Sequence, residues 1–135
     1  MSNQLTVQLQ ESVDVTVQVY EGKNVFLGAQ IARKARLYVP RKYWTMLKGY
    51  KNIKTSDVIS IAFIDGVAVG SCIQFGNGSI HCFVRKSLRR RGIGSKLVSA
   101  VKRDDSKAGI GLKNGQSESF WNHNNVTVRK REWWM

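Results

Sequence analysis

The sequence predicts an α+β fold in which a mixed, mostly antiparallel central sheet is flanked by helices. Apolar residues alternate with polar ones in several short stretches, as in half-buried strands, and recur at helical spacing in others. Three consecutive strand-like stretches also lead directly into a loop with two glycines and an amphipathic helix. With 135 residues, 42% of them hydrophobic, the chain is expected to form a single domain over residues 1–135.

The first elements are predicted from these two periodicities. Residues 5–10 and 13–19 alternate apolar and polar, which predicts a hairpin of half-buried strands. The next stretch predicts a helix that ends before Pro40 and buries four residues at helical spacing, Leu27, Ile31, Ala35 and Tyr38. A second short helix is expected over residues 41–48, with Trp44 and Leu47 turned inward.

The middle of the chain contains the main sheet-forming stretches. Residues 58–64 and 67–75 are predicted to pair as a hairpin, because the Asp65-Gly66 dipeptide suits a tight turn with positive φ angles. A second turn at residues 76–78 leads to a third strand over residues 80–84. Further on, residues 108–112 and 126–134 are candidate strands with a helix-like stretch between them.

A loop with the pattern Arg89-x-x-Gly92-x-Gly94 follows the third strand and precedes the helix. Two glycines remove the side chains that would keep an anion from the backbone. The start of the helix offers unpaired N–H groups and the positive end of the helix dipole. The sequence therefore predicts that this loop binds a phosphate group.

The glycines of this loop also occur in three other kinds of motif. A dinucleotide fingerprint needs a third glycine where this chain has Leu97, and a P-loop needs Gly-Lys-Ser/Thr where this chain has Gly94-Ser95-Lys96. Neither pattern fits. The third alternative, a glycine turn that only tightens the connection between strand and helix, stays open at this point.

The run from Cys82 to Gly94, with its strand, spacer, glycine loop and following helix, resembles the signature of the GNAT superfamily of N-acetyltransferases. That signature is Arg/Gln-x-x-Gly-x-Gly/Ala, preceded by an apolar-x-Val strand. The two predicted helices before the three strands also match the family's opening βαα unit. The resemblance implies a GNAT-like fold and transfer of an acetyl group from acetyl-CoA to a primary amine.

The resemblance also implies which residues bind acetyl-CoA. In the family, the strand before the loop is splayed from its neighbour, so its backbone binds the pantetheine and polarises the thioester; here those positions are Cys82, Phe83 and Val84. The loop around the pyrophosphate would consist of Arg89, Arg90, Arg91, Gly92, Ile93, Gly94 and Ser95. Asn114 would lie near the pantetheine arm, whereas Trp121 replaces the family's tyrosine and cannot act as an acid.

The acceptor amine must lose a proton, because an alkylamine is almost entirely ammonium at neutral pH. His81 is the candidate general base, since it lies on the strand beside the reaction centre and carries an imidazole. The alternative is a histidine that simply packs in the sheet. Asp57 and Asp65 are further candidates, although Asp65 falls in a turn, and His123 is expected to be exposed after the last helix.

The charge of the chain is strongly positive. Twenty-two Lys and Arg face nine Asp and Glu, a formal net charge of +13, which favours an anionic partner. That partner is expected to be an acidic protein or a nucleic acid such as tRNA or DNA, and the alternative is a surface that only solubilises the protein. A second functional hypothesis follows, in which a GNAT-like protein without turnover binds such a partner.

Several other classes of protein are disfavoured. The sequence has neither a signal peptide nor a membrane-spanning apolar run, so a cytoplasmic protein without membrane contact is expected. Two cysteines, Cys72 and Cys82, do not form a disulfide framework and are expected to be reduced. No metal site is expected, because the adjacent strand residues His81 and Cys82 point to opposite faces.

Overall fold

The computed structural model describes residues 14–46, 55–109 and 117–129. Its elements in chain order are β1 Thr16–Glu21, α1 Val25–Lys34, α2 Arg41–Met46, β2 Val58–Ile64, β3 Val67–Gln74, β4 Ile80–Val84, α3 Ile93–Val101, β5 Lys107–Gly109, α4 Glu118–His123 and β6 Thr127–Arg129. Short 3₁₀ turns cover Gly22–Asn24 and Lys86–Leu88. The strand predicted over residues 5–10 lies outside the described residues.

The described strands form two sheets that meet at one point. β1, β2, β3 and β4 are antiparallel neighbours in that order, whereas β5 and β6 pair in parallel. Ser79, just before β4, forms a single parallel bridge with Lys107 at the start of β5. The α+β class, with a mostly antiparallel sheet flanked by helices, is therefore confirmed.

The predicted hairpin of β2 and β3 is also confirmed. Asp65 and Gly66 have φ angles of 50° and 78°, which is the left-handed geometry that a two-residue type I′ turn requires. The register shifts by one residue between Ala62 and Phe63. This irregularity changes which β3 residues face each side of the sheet near the turn.

Each face of the antiparallel sheet is covered by its own hydrophobic cluster. One cluster joins β2, β3 and β4 to α3 and α4, and its largest buried members include Ile80, Val84, Ile93, Leu97 and Trp121. The other cluster joins the opposite face to α1 and α2, through residues such as Val25, Tyr43, Ile59, Ile61 and Ile73. Because side chains alternate along β4, its residues contribute to both clusters.

Helix α3 is held against the sheet by a close approach and a hydrogen bond. Gly70 in β3 leaves room for Leu97, since a Cβ at this glycine would lie 3.0 Å from the Leu97 Cδ1 atom. The hydroxyl of Ser60, fully buried in β2, donates to the carbonyl of Leu97 at 2.9 Å. A main-chain carbonyl of the helix is thus tied directly to the centre of the sheet.

The buried face of α1 differs from the predicted one. Leu27 is 50% exposed, and the buried residues of this helix are small or β-branched, namely Val25, Gly28, Ala29 and Ala32. A Cβ at Gly28 would lie 2.8 Å from both Cβ and Cγ of Tyr20. The helix therefore packs through its smallest side chains, because only they allow the Tyr20 side chain between helix and sheet.

Helix α1 also ends earlier than the proline rule predicts. Arg36 has a φ angle of 59°, Leu37 N donates to the carbonyl of Ala32 at 2.9 Å, and Arg36 N donates to the carbonyl of Arg33 at 3.0 Å. These two bonds and the left-handed residue form a Schellman motif, which usually has glycine at this position. Capping, rather than Pro40, ends the helix.

The remaining predictions are met in part. Helix α2 starts at the predicted residue, whereas the Trp44 side chain and Leu47 lie outside what the structure describes. Strand β5 overlaps the predicted strand over residues 108–112 but begins one residue earlier, at Lys107, and β6 falls within the predicted strand over residues 126–134. Among the described residues, no helix is long and apolar enough to cross a membrane.

Asp57 organises the junction between α2 and the sheet. It is 4% exposed, accepts hydrogen bonds from the Tyr43 hydroxyl and from Gly76 N at 2.8 Å, and forms an ion pair with Lys42 Nζ at 2.6 Å. Burial by itself would raise the pKa of Asp57, but the Lys42 ammonium and the two hydrogen-bond donors outweigh burial and lower it. This carboxylate is therefore structural, and its acceptor positions are occupied.

The depressed pKa of Asp57 predicts an acid-sensitive fold. Because the folded-state pKa lies below the unfolded value, this carboxylate stabilises the fold above about pH 4, and the stabilisation is lost as the pH falls further. Asp57→Asn should lower the free energy of unfolding at pH 7 by ~1–3 kcal/mol and flatten its pH dependence below about pH 4. Denaturant unfolding across this pH range measures both effects. Asp65→Asn in the exposed turn is the control, and an equal flattening there would contradict the assignment.

Candidate active-site groove

The loop after β4 approaches the sheet first and then turns sharply into α3. Arg85 N donates to the carbonyl of Val69 at 3.0 Å, and Arg89 Nε donates to the carbonyl of Val84 at 2.9 Å. Arg90 and Gly92 then adopt φ angles of 65° and 78°. These left-handed residues let the chain reverse direction within a few residues and begin the helix immediately after Gly92.

The amino end of α3 presents backbone donors to a groove. Lys96 N bonds to the carbonyl of Gly92 at 3.2 Å and closes the first turn. The N–H groups of Ile93, Gly94 and Ser95 precede the first intrahelical bond and have no partner within the helix. They point in the direction of the positive end of the helix dipole. The first turn of α3 is therefore suited to an anion.

The groove has a volume of about 610 Å³. Its lining comes from three parts of the chain, namely β4 and the following loop, the start of α3, and α4; the residues are Val84, Leu88, Arg89, Arg90, Gly92, Ile93, Gly94, Ser95, Ser117, Ser119, Phe120 and His123. Among the described residues of this lining, the charged side chains are those of Arg89 and Arg90, and both are basic. The groove is therefore of the size and charge that a phosphorylated small molecule requires.

The two glycines of the motif have different surroundings. Gly92 is exposed, and a Cβ there would meet nothing within 4 Å. Gly94 is buried beneath Phe120, since a Cβ at Gly94 would lie 2.9 Å from Cε1 of that ring. Gly92 thus leaves the helix start open, whereas Gly94 lets α3 approach α4.

In the described part of the chain, one edge of β4 pairs with β3, and the opposite edge, which we call the open edge, is bridged to β5 at a single point. β4 and β5 are bridged at Ser79 and Lys107, where Lys107 N donates to the carbonyl of Gly78 at 2.8 Å. Beyond this point β4 continues in the antiparallel sheet, and β5 pairs with β6. Within the described residues, this is the single bridge between the two sheets, and the splayed arrangement implied by the family resemblance stays a prediction.

The direction of the β4 backbone groups follows from its register with β3. Phe75 pairs with Ser79 through a hydrogen bond of 2.8 Å, and alternate residues of β4 repeat this pairing. The backbone N–H and C=O groups of Phe83 are therefore directed toward Ser71 in β3. By the same alternation, the backbone groups of Cys82 and Val84 are directed toward the open edge. Of the three backbone positions predicted for the pantetheine, these two face the edge, and the carbonyl of Val84 is already bound by Arg89.

His81 lies on the opposite side of the sheet from α3. Its ring stacks on Tyr38 with centroids 5.5 Å apart, and its edge meets Phe75 at 5.6 Å. Burial raises the pKa of Tyr38, so the neighbouring phenol stays neutral. The structure thus places His81, half-buried in an aromatic cluster, on the same strand as the groove but with its side chain on the α1 face.

The other predicted site residues are placed as follows. Arg91 is exposed beside Arg90, and Asn114 lies outside the described residues. Trp121 is 2% exposed in the core, and its indole Nε1 has no hydrogen-bond partner among the residues that the structure describes. The neighbouring Phe120, not Trp121, lines the groove.

Sequence reasoning missed the contribution of α4 to the groove. Ser117, Ser119 and His123 line it. His123 is exposed as predicted, but it is the last residue of α4 and does not follow the helix. Ser117 caps this helix by accepting a hydrogen bond from Phe120 N at 3.3 Å. The Ser-x-x-Phe spacing is a helix-start signal that could have placed α4 more exactly.

The cysteines are buried and lie opposite each other on β3 and β4. Burial, followed by the hydrogen bond and charge of Cys82, raises the pKa of the Cys72 thiol well above its ordinary value. The Cys82 thiol donates to the carbonyl of Gly94 at 3.9 Å, a long contact typical of sulfur. Within the described ranges, no group of three or more His, Cys, Asp or Glu side chains could bind a metal.

The contact between Gly94 and Phe120 predicts a coupled pair of substitutions. Gly94→Ala should lower the free energy of unfolding by ~1–3 kcal/mol, because its methyl group would overlap the Phe120 ring. Phe120→Leu should recover part of that loss, with a coupling of at least ~0.5 kcal/mol in a double-mutant cycle measured by denaturant unfolding.

Gly92→Ala is the matched control for that cycle. It should also be destabilising, by ~1–2 kcal/mol, but through its left-handed backbone and not through a side-chain contact. Phe120→Leu should therefore give it no recovery. Equal coupling at the two glycines would contradict the distinction between them.

Comparisons with known proteins give a general likeness only. No protein-family model matches the chain, and no curated protein matches its sequence. Two solved structures of an aminoglycoside acetyltransferase from an uncultured soil metagenomic sample, in complex with sisomicin and with trehalose, are each 12% identical to it. Each match covers 87% of this chain and 76% of that chain, with TM-scores of 0.42 and 0.39. Because the sequence identity and the TM-scores are this low, the function must be inferred from the groove itself.

Proposed function

We propose that this protein transfers the acetyl group of acetyl-CoA to a primary amine carried by a macromolecule. One observation supports the proposal most directly: the first turn of α3, left open by Gly92, faces a groove of about 610 Å³ whose charged lining is basic. Unpaired backbone donors at a helix start bind phosphate groups, and the dipole favours the negative charge. The diphosphate of CoA would bind there, with Arg89 and Arg90 beside it.

The open edge of β4 would bind the rest of the donor. An extended chain with amide groups, such as pantetheine, can pair with a strand edge as an added strand does. The backbone groups of Cys82 and the N–H of Val84 are directed toward that edge. An N–H at this position could donate to the thioester oxygen as negative charge develops on it.

The chemistry requires the amine and the thioester to be held together. The amine nitrogen attacks the thioester carbonyl carbon, a C–N bond forms, and the C–S bond breaks with its electron pair leaving on sulfur. Holding both reactants on one strand converts this bimolecular encounter into an effectively intramolecular step. The amine gives up a proton and the departing thiolate gains one, so the overall reaction is balanced.

We assign His81 as the general base that accepts the proton of the amine. It lies on β4, one residue before Cys82, and its ring is half-buried on the α1 face. This assignment requires the acceptor to approach from that face while the donor occupies the other side of the strand. The Tyr38 and Phe75 rings beside His81 fix the orientation of the imidazole.

A protein that binds but does not turn over is the second candidate function. The observation that favours it is the composition of the groove, whose described lining contains no tyrosine, the residue to which the family resemblance assigns protonation of the departing thiolate. Trp121 is buried in the core and cannot replace it. The two functions differ in one outcome, because both permit CoA binding and only the first produces acetylated amine.

The first prediction from this proposed function is that the protein binds CoA. CoA at about 100 times its Kd should stabilise the fold by ~2.7 kcal/mol, and pantetheine, which lacks the diphosphate, should not. Arg90→Asn should weaken CoA binding about tenfold, because it removes one charge-assisted contact. Thermal unfolding and calorimetry measure both effects. Arg36→Asn is the matched control, since it is also an exposed arginine with positive φ but lies outside the groove lining. No response to CoA would refute the proposed donor.

A second prediction concerns the proton. His81→Gln should lower kcat by about a hundredfold at neutral pH and remove the acidic limb of the pH–rate profile. Tyr38→Phe preserves the ring stacked on His81 and should leave that profile in place. The measurement is acetyl transfer to a generic amine acceptor over a range of pH. Superimposable profiles for His81→Gln and the unmodified protein would assign the proton to water.

A further inference from the structure

A cluster of basic side chains lies where the end of α1 meets the end of β4, and it is distinct from the groove lining. We call it the basic corner, and its members are Arg33, Lys34, Arg36, Arg85 and Lys86. Arg85 joins the two elements, because its Nη2 donates to the carbonyl of Ala35 and its Nε donates to that of Ala68 at 3.5 Å. Lys34, Arg36 and Lys86 are exposed.

Four members of the basic corner have no ion pair with an acidic side chain among the described residues. Lys34, Arg36, Arg85 and Lys86 have no acidic side chain within ion-pair distance in the described ranges; the ion pairs found there are Lys42 with Asp57 and Arg103 with Asp105. The corner continues along the chain into Arg89, Arg90 and Arg91. Together these side chains carry more positive charge than the phosphates of one small molecule require.

The aromatic ring of Tyr38 lies at the end of the segment that follows α1. Residues 35–38 pass beside β3 and the end of β4, since Arg85, just after β4, donates to the carbonyl of Ala35, and Ser71 in β3 donates to the carbonyl of Tyr38 at 3.3 Å. The Tyr38 ring is stacked on His81 and is 38% exposed. A partly exposed ring next to a row of basic side chains is the combination that binds single-stranded nucleic acid, through base stacking and phosphate contacts.

We infer that the basic corner and Tyr38 bind a single strand of nucleic acid. Its phosphates would contact Lys34, Arg36 and Lys86, and one base would stack on Tyr38. If the proposed acyl transfer is correct, this strand carries the acceptor amine to the His81 side of β4. An acidic polypeptide has matching charge but no base to stack on Tyr38, so the ring favours nucleic acid.

The test compares two triple variants that each remove three positive charges. The corner variant is Lys34→Gln, Arg36→Gln and Lys86→Gln, and the control variant is Lys23→Gln, Lys107→Gln and Arg129→Gln, whose sites are exposed on other parts of the surface. Fluorescence anisotropy with a labelled single-stranded RNA of about 12 nucleotides measures binding between about 50 and 200 mM salt.

Binding of the RNA should weaken by about tenfold or more in the corner variant and much less in the control variant. The slope of log Kobs against log salt should fall in magnitude by about 2 in the corner variant, as expected for three lost contacts on a single strand. Tyr38→Leu should weaken binding by about fivefold or more through lost stacking, with little change in slope.

Several outcomes would overturn the inference. Equal weakening in the two triple variants would mean that net charge alone attracts the RNA. Equal competition by polyglutamate would point to an acidic protein partner, and no binding near 150 mM salt would exclude the surface altogether. Both triple variants should bind CoA as the unmodified protein does. That measurement separates failure of the nucleic-acid surface from failure of the proposed acyl transfer.

Discussion

The attachment of α3 to the centre of the sheet is the constraint on which the site depends. Gly70 lets Leu97 approach the β3 backbone, and Ser60 donates to the carbonyl of Leu97 from inside the sheet. An unpaired hydroxyl at such a buried position would cost about 1–3 kcal/mol, so this bond also fixes the position of the helix along the sheet. With the helix fixed, its amino end must open at Gly92, beside the end of β4. The open amino end of α3 is therefore a consequence of core packing.

β4 separates two environments because its side chains alternate. Val84 points to the α3 face and lines the groove, whereas His81 and Phe83 point to the α1 face among aromatic residues. The backbone alternates as well, so that Phe83 pairs with β3 while Cys82 and Val84 are directed to the open edge. In the proposed function, an acyl donor on one face of β4 and an acceptor amine on the other face could thus meet at the backbone of this strand.

The sequence predicts the local parts of this arrangement and misses those set by tertiary contacts. The Asp65-Gly66 turn and the loop into α3 follow from backbone preferences, which act over a few residues. The buried face of α1 does not, because Tyr20 fills the space against Gly28 and leaves Leu27 in solvent. His123 lines the groove because α4 packs against the start of α3 through Phe120 and Gly94, a tertiary contact that no local periodicity encodes.

Two arginines with left-handed backbone conformation place a positive charge next to the end of a helix. Arg36 ends α1 and Arg90 precedes α3, with φ angles of 59° and 65°, at positions where glycine would avoid a cost of about 1 kcal/mol or more. Each also carries a positive charge to a different side of β4. Stability alone would favour glycine at both sites, and strain of this kind is found where function requires the side chain. A groove for an anionic donor and a corner for an anionic strand would account for both arginines.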